Sequence, residues 1–152
     1  MVSSFSQIKF NLRRGHYRHI GSGSSRDVFD LDNGYVIKVA KNRAGIAQNE
    51  SEYNISDYDN SGLFAKVIEV SNNFKFLIME KADKVYYMSD VLEYFKVRGK
   101  RQLLKLEELQ DIKRNYNLVL GDLQRKSSWG MINGRPIIID YGFTREVRDI
   151  YY

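Results

Sequence analysis

The sequence of 152 residues contains no cysteine and only two histidines. The absence of cysteine excludes disulfide bonds and thiolate metal sites within this sequence and favours a reducing cytoplasm. His16 and His19 lie near no cysteine and no cluster of carboxylates, so they do not predict a metal site. No apolar run approaches the length that crosses a bilayer, and residues 1–12 lack the apolar core of a signal peptide. We therefore expect a cytoplasmic protein that does not span a membrane.

Charge of one sign is only slightly in excess, with a formal net charge of +5. This bias favours an anionic ligand or partner. Without clustering on one face it is a poor argument for nucleic acid, so a basic nucleic-acid-binding module, carried by Lys9, Arg13, Arg14 and the turn at 96–101, is the least favoured function. A hydrophobic fraction of 43% and a charged fraction of 28% are ordinary for a globular protein. The length predicts one domain, 1–152.

A glycine- and serine-rich turn separates two apolar stretches at residues 20–29. Glycine lets backbone N–H groups approach phosphates closely, and serine hydroxyls add further donors. Its candidate phosphate-binding residues are Gly21, Ser22, Gly23, Ser24 and the apolar Val28. Arg26 either supplements phosphate binding or is simply exposed. Taken alone, such a turn is equally typical of an ordinary hairpin connection.

A lysine interrupts the next apolar stretch. The turn at 32–34 reads Asp-Asn-Gly and predicts a hairpin, and residues 35–40 after it read as a strand that contains Lys38. Residues 44–56 are rich in helix formers and contain Glu50 and Glu52. These residues need not belong to a site: Lys38 could lie on an exposed strand face, and Glu50 and Glu52 could be ordinary solvated carboxylates of a helix.

The middle of the chain predicts a second hairpin and then two helices. Its strands lie within residues 63–70 and 74–79, and the chain leaves the second strand through Met79, Glu80 and Ala82. Residues 86–97 and 101–115 follow an apolar period of 3.6 and predict two amphipathic helices. Residues 1–15 predict a short lead-in helix or an arm.

Two acidic residues each follow a short apolar run near the end of the chain. Asp122 follows residues 118–120, and Asp140 follows the apolar residues 136–139. Runs of this length predict buried strands, so the hydrophobic core would hold each carboxylate at a strand end. Such positions suit residues that perform chemistry.

In this order the motifs resemble those of the protein-kinase-like superfamily, in particular compact kinase-like proteins of bacteria and phages. The turn at 20–29 resembles the glycine-rich loop, and Val36-Ile37-Lys38 resembles the strand that carries the phosphate-binding lysine. Asp140-Tyr141-Gly142 resembles the metal-binding Asp-Phe-Gly, and Asp122 stands where the catalytic-loop aspartate would be. Position 127, where the family has a metal-binding asparagine, is Ser127.

The resemblance implies an α+β fold with a five-stranded antiparallel N-lobe sheet and one helix, followed by a minimal, mainly helical C-lobe. The lobes would be residues 1–80 and 81–152 of one kinase-like domain. Nothing after Asp140 resembles the Ala-Pro-Glu segment and the later helices of the large lobe. Gly121 replaces the arginine of the kinase His-Arg-Asp, so control by a phosphorylated activation loop is not expected.

The resemblance also implies ATP and Mg²⁺ as cofactors. Lys38 would bind the α and β phosphates and pair with a helix glutamate. Glu52 is our first choice for that partner, because Ile55 would anchor its helix face, and Glu50 stays open. Asp122 would orient or deprotonate the acceptor, and the adenine would bind backbone groups at Met79, Glu80 and Ala82. Asp140 would bind the metal ion, with Ser127 or its neighbour Ser128 nearby.

The implied function is an ATP- and Mg²⁺-dependent phosphotransferase of minimal protein-kinase-like type, with protein serine or threonine as an acceptor. The alternative is a pseudokinase that regulates another protein, with or without nucleotide. Besides nucleotide, a protein substrate or partner is therefore expected. A reduced lobe would also leave apolar surface that a partner or a second copy of the chain covers.

Overall fold

The computed structural model describes residues 4–152, and its first part is an antiparallel sheet with helices on its faces. Within that range the elements are α1 (Phe5–Arg13), β1 (Arg18–Ser22), β2 (Arg26–Asp30), β3 (Tyr35–Ala40), α2 (Arg43–Tyr58), β4 (Val67–Val70) and β5 (Phe76–Glu80). The strand order is β1-β2-β3-β5-β4, and every neighbouring pair is antiparallel. The predicted five-stranded sheet and its helix are confirmed. The lead-in helix is α1, and the part of that prediction on residues 1–3 lies outside the described residues.

The second part is mainly helical, as predicted, and includes a small second sheet. Its elements are β6 (Asp83–Lys84), α3 (Met88–Tyr94), α4 (Lys100–Leu104), α5 (Glu107–Tyr116), 3₁₀ turns at Leu120–Gln124 and Lys126–Ser128, β7 (Trp129–Ile132), β8 (Arg135–Ile138) and α6 (Arg145–Tyr151). Strands β6, β7 and β8 pair in that order. No helix within residues 4–152 has the length and apolar character that a membrane span requires.

The alternation of side chains along β3 decides which way its lysine points. Val36 packs into the main apolar cluster, which also contains Leu109 of α5. Ile37 points to the other face of the sheet and packs with Ile8 of α1. Because successive strand residues face opposite sides, Lys38 lies on the same face as Val36. It therefore points between the sheet and the helical part of the protein.

The predicted helix over residues 101–115 is wrong, because the chain forms two helices there. Leu106 has an extended backbone conformation, with ψ near 140°, and separates α4 from α5. The Gln110 side chain donates to the Leu104 carbonyl at 2.6 Å and so satisfies a group that the break exposes. The change of direction lets Leu103 of α4 and Leu109 of α5 both enter the main core.

The predicted strand before Asp122 is also wrong. Leu118 forms only an isolated bridge with Thr144, and the 3₁₀ turn Leu120–Gln124 follows. Leu120 and Leu123 are both buried. Side chains three residues apart lie on the same side of a 3₁₀ turn, so this spacing buries both leucines. Asp122, which lies between them in the sequence, points towards the surface and is partly exposed.

Candidate functional site

Lys38 and Glu52 form a buried ion pair between the sheet and α2. The Lys38 Nζ donates to both carboxylate oxygens of Glu52, at 2.9 and 3.1 Å. The two residues are 5% and 0% exposed, whereas Glu50, two positions earlier on the helix, is exposed. Asn42 fixes the start of α2 by accepting a hydrogen bond from the Gly45 N–H. The helix thus presents Glu52, and not Glu50, to the lysine.

The carboxylate of Glu52 also binds the backbone next to Asp140. The N–H groups of Tyr141 and Gly142 both donate to its Oε2 at 3.0 Å. Gly142 lies so close to α2 that a Cβ there would be 2.6 Å from the Gln48 carbonyl oxygen. The same segment accepts from Lys38, whose Nζ donates to the Ile139 carbonyl at 2.6 Å. Residues 139–142 are therefore held directly against the ion pair.

Arg26 contributes a second buried cation, which contradicts one of the two alternatives for this residue, that it is simply exposed. It is 7% exposed and donates from both terminal nitrogens to Glu52, at 2.8 and 2.9 Å. Further hydrogen bonds reach Asn49 at 3.0 Å and Asp140 Oδ1 at 2.9 Å. Strand β2 pairs with β3 so that Val28 lies opposite Lys38. Arg26, with the same parity as Val28, therefore faces α2.

The balance of burial and charge shifts the pKa values of these groups. Burial would raise the pKa of Glu52, but Arg26 and Lys38 outweigh it and lower that pKa to about 2. Burial lowers the pKa of the Lys38 ammonium, and Glu52 opposes this effect. For Arg26, burial is outweighed by Glu52 and Asp140, and the pKa of the guanidinium rises above its ordinary value. Glu52 and Arg26 are therefore ionised at neutral pH.

We expect acid to destabilise the protein through Glu52. Its folded pKa of about 2 lies below the ordinary value of 4.5, so its stabilisation is complete above pH 4.5 and is lost as the pH falls towards 2. The measurement is the free energy of unfolding in urea at pH 7, 4 and 3. A Glu50→Gln variant should lose as much stability with acid as wild type, and Glu52→Gln should lose less. Parallel curves for wild type and Glu52→Gln would contradict the assignment.

Asp140 joins Arg26, Lys38 and Glu52, and we call these four residues the charge cluster. Asp122 lies near Asp140. The Asp140 side chain is 51% exposed, and only its Oδ1 is bound by Arg26. Asp122 lies in the 3₁₀ turn Leu120–Gln124 and accepts from Arg125 at 2.6 Å. Burial raises the pKa of Asp122; the charge of Arg125 opposes this, and that of Asp140 adds to it. The negative charge of Asp140 therefore makes ionisation of Asp122 less favourable.

The two serines after Asp122 have different surroundings. Ser128 is buried, and its hydroxyl donates to the Asp122 backbone carbonyl at 2.8 Å. Ser127 is exposed in the 3₁₀ turn Lys126–Ser128. Ser128 thus supports the turn that holds Asp122, and Ser127 has the more accessible hydroxyl.

The glycine-rich turn lies next to the start of α2, and hydrogen bonds hold its backbone in place. The Gly23 N–H donates to the Arg26 carbonyl at 2.9 Å, and the Lys41 Nζ donates to the Gly23 carbonyl at 2.7 Å and to Ser22 Oγ at 3.0 Å. Gly21 and Ser22 belong to β1. Gly23 and Ser24 are exposed, and a Cβ at Gly23 would meet nothing within 4 Å. The turn therefore leaves open space next to its backbone.

The segment after β5 exposes backbone groups near the junction of the two sheets. Met79 is buried in the main core, whereas Glu80 and Ala82 are partly exposed. The Ala82 N–H makes no hydrogen bond within residues 4–152. Gly130 of β7 approaches so closely that a Cβ there would lie 2.5 Å from the Ala82 Cβ. A flat ligand edge at this position would meet backbone polar groups and not long side chains.

Several contacts of the charge cluster could not be predicted from sequence patterns. These are Arg26 as a partner of Glu52 and Asp140, Asn49 as its hydrogen-bond acceptor, and the backbone groups of residues 139, 141 and 142. The available signal was an arginine at the position where the kinase loop has its third glycine. The meaning of that arginine depends on contacts with α2 and with residue 140, far away in the sequence.

The arrangement is chemically suited to a metal ion held jointly with phosphates. Within residues 4–152, no group of three or more His, Cys, Asp or Glu side chains could hold a metal alone. Mg²⁺ is commonly bound by one or two carboxylates together with substrate phosphates. Asp140 offers a half-exposed carboxylate for such a site, with Asp122 beside it. The residues present therefore fit Mg²⁺ bound together with a nucleotide.

Two cavities lie away from these charged residues. One, of about 680 Å³, lies between residues 59–63 and α5, and the other, of about 490 Å³, lies between α2 and the start of α6. Neither is lined by Lys38, Asp122 or Asp140. Neither cavity therefore belongs to the site formed by these three residues.

Comparison with known proteins identifies the fold. No protein-family model and no curated protein matches the sequence. Among solved structures, the gentamicin complex of APH(2″)-IIa has a TM-score of 0.56 at 20% identity, covering 93% of this chain and 71% of that chain. The streptomycin–ATP complex of the same protein gives a TM-score of 0.52 at 17% identity, with 93% and 72% covered. The ADP-bound aminoglycoside phosphotransferase APH(2″)-Ib gives 0.54 at 17% identity, with 91% and 71% covered. Over most of its length, the chain has the protein-kinase-like fold that these phosphotransferases share.

Proposed function

We propose that this protein is an ATP- and Mg²⁺-dependent phosphotransferase of minimal protein-kinase-like type. The observation that supports this most is the contact of one carboxylate, Glu52, with both Lys38 and the backbone that follows Asp140. Those contacts gather a strand lysine, a helix glutamate and a tail aspartate in one place. The ATP and ADP complexes of the structural neighbours give further support.

Lys38 and Glu52 would act together on the nucleotide phosphates. An ammonium held by an opposite charge stays in one orientation and loses less freedom when phosphate binds. In the structure all the donor capacity of Lys38 is taken by Glu52 and the Ile139 carbonyl. Binding of a phosphate would therefore exchange the Ile139 contact for a charged one, which is stronger.

Of the two aspartates, Asp140 would bind the metal ion and Asp122 would act on the acceptor. Asp140 would hold Mg²⁺, which when bound neutralises charge on the β and γ phosphates. Asp122 would orient the acceptor hydroxyl and accept its proton. Its raised pKa, due to burial and the nearby charge of Asp140, makes it a better base than an exposed aspartate.

The two backbone segments would bind the rest of the nucleotide. The exposed backbone of Gly23 and Ser24 would cover the phosphates, because a Cβ at Gly23 would meet no atom of the described residues within 4 Å. The Ala82 N–H, which has no partner within the described residues, and the Glu80 carbonyl would bind the adenine edge. Met79 would pack behind the ring from its buried position.

The acceptor would be an alcohol on an acidic or neutral partner, with protein serine or threonine as the first class to test. Arg125 and Lys126 are exposed on the turns next to Asp122, and the net charge is +5. These charges would repel a polycation and attract an acidic segment. The aminoglycosides of the neighbouring complexes are polycations, so they are poorer candidates here than an acidic protein.

A pseudokinase is the second candidate, and two observations favour it. Lys38 is fully hydrogen-bonded to protein acceptors, and Ser127 stands where the family has an asparagine. A protein that used this fold only to bind a regulated partner would tolerate both features. It would bind nucleotide weakly or not at all, and it would not transfer phosphate.

Two measurements on the purified protein separate these functions. Thermal unfolding with ATP, with and without Mg²⁺, detects nucleotide binding, because a ligand at about 100 times its dissociation constant stabilises by about 2.7 kcal/mol. Transfer of label from γ-labelled ATP then tests chemistry, and Asp122→Ala should reduce it about 100-fold. Equal label transfer by wild type and Asp122→Ala would remove Asp122 from its role. No stabilisation by ATP under either condition would reject a nucleotide-dependent function.

A further inference from the structure

Arg26 is held in the charge cluster as a fixed cation and not as a free phosphate ligand. Its two terminal nitrogens make four hydrogen bonds, two to Glu52, one to Asn49 and one to Asp140. Those nitrogens carry four N–H groups, so each is occupied. The guanidinium is buried and always charged, and its position is set from three sides.

The charges of the cluster already cancel without a nucleotide or a metal ion. Arg26 and Lys38 supply two positive charges, and Glu52 and Asp140 supply two negative charges. A kinase site built from one lysine, one glutamate and one metal aspartate would instead carry one net negative charge. That site uses two Mg²⁺ ions, held by the aspartate and by the catalytic-loop asparagine.

The ligand for a second metal ion is weak in this chain. Ser127 replaces the asparagine, and the neighbouring Ser128 hydroxyl is committed to the Asp122 carbonyl. Asp122 itself is paired with Arg125. A neutral hydroxyl is a poorer Mg²⁺ ligand than an amide carbonyl or a carboxylate oxygen.

We propose that Arg26 takes the place of one divalent cation, so that Asp140 and the nucleotide phosphates hold a single metal ion. This inference rests on the proposed nucleotide-binding function. Arg26 binds Oδ1 of Asp140 and leaves Oδ2 for the metal. Arg26 would orient Asp140 through this hydrogen bond and would place a positive charge near the phosphates. It is therefore a positioning residue that also supplies charge.

The first test counts metal ions on the wild-type protein. The protein is saturated with a non-hydrolysable ATP analogue and titrated with Mn²⁺, and bound and free Mn²⁺ are distinguished by electron paramagnetic resonance. One Mn²⁺ per bound nucleotide is the expected result. Two ions per nucleotide overturn the proposal, and this measurement requires neither a variant nor catalytic activity.

The second test compares Arg26→Met with Arg114→Met, which removes the same charge from an exposed ion pair on α5. In EDTA, Arg26→Met should bind the analogue about tenfold more weakly, because one fixed positive charge near the phosphates is lost. Its affinity for Mn²⁺ should rise, because Asp140 is released from its competing cation. Arg114→Met should behave as wild type in both measurements. A purely structural role would weaken both affinities together, which would overturn the proposal.

The third variant, Arg26→Lys, keeps the charge and protects the test against a misfolded Arg26→Met protein. Circular dichroism establishes that each variant is folded, and Arg26→Lys should retain nucleotide affinity in EDTA within about threefold of wild type, because it keeps the positive charge although it loses the bidentate contact with Glu52. A tenfold loss in Arg26→Lys would overturn the role of charge. If the wild type binds no analogue in EDTA or Mn²⁺, the proposed function fails as well, whereas binding with two Mn²⁺ ions overturns this inference alone.

Discussion

Asp140→Asn should reduce ATP turnover by about 10³-fold while leaving the protein folded. The asparagine keeps the size of the side chain and an oxygen that accepts from Arg26, but it removes the charge that would hold the metal ion. Asp140 is half exposed, so the change costs little core packing. Release of ADP measured by a coupled assay gives turnover without knowledge of the acceptor, and thermal unfolding gives stability.

The matched control for this variant is Asp57→Asn. Asp57 is an exposed carboxylate near the end of α2, so its substitution removes the same charge outside the cluster. Turnover by Asp57→Asn should stay within about twofold of wild type, as for most exposed sites. Retention of wild-type turnover by Asp140→Asn would exclude Asp140 as the metal ligand, whereas absence of ATP turnover by the wild type would favour the pseudokinase.

The parts of the fold that the sequence predicted are those with a clear local pattern. The apolar run at residues 35–40 predicted a strand that contains Lys38, and the turn at residues 32–34 predicted the hairpin that joins β2 to β3. Ile55 marked the buried face of α2, as expected, and it is 5% exposed. These signals act over a few residues, so a single sequence contains them in full.

The incorrect parts depended on contacts that a local pattern does not contain. The apolar residues 118–120 suit a buried strand or a 3₁₀ turn equally well, and only burial of Leu120 together with Leu123 selects the turn. The apolar period of residues 101–115 continues across Leu106, although the chain bends there. The role of Arg26 depends on a residue 114 positions later in the chain.

The main apolar cluster supports treating the chain as one functional unit. It joins Leu77 of the first sheet to Leu103 and Ile112 of the helices and to Ile138 of the second sheet. We propose that residues 1–152 act as a single kinase-like domain, with lobes at 1–80 and 81–152. Since Tyr141 and Gly142 contact Glu52 and Ile139 contacts Lys38, a shift between those lobes would change the ion pair and Asp140 together.

Glu52→Gln should destabilise the protein by about 3–5 kcal/mol, the usual effect of removing one partner from a buried ion pair. Two buried cations, Arg26 and Lys38, would then face a neutral amide, and one oxygen would have to replace two as acceptor. For a protein of this size the midpoint of thermal unfolding should fall by about 10 °C. Urea unfolding at pH 7 gives the free energy directly.

Glu50→Gln is the internal control for that experiment. Glu50 lies two residues earlier on the same helix and is exposed, so the change should cost less than about 0.5 kcal/mol. Equal effects of the two substitutions would mean that Glu52 is not the centre of the cluster. A large effect of Glu52→Gln alone would show that the arrangement of Lys38, Arg26 and residues 139–142 depends on one carboxylate. Nucleotide affinity should then fall in Glu52→Gln even under conditions where that variant is fully folded, because Lys38 would no longer be held in place.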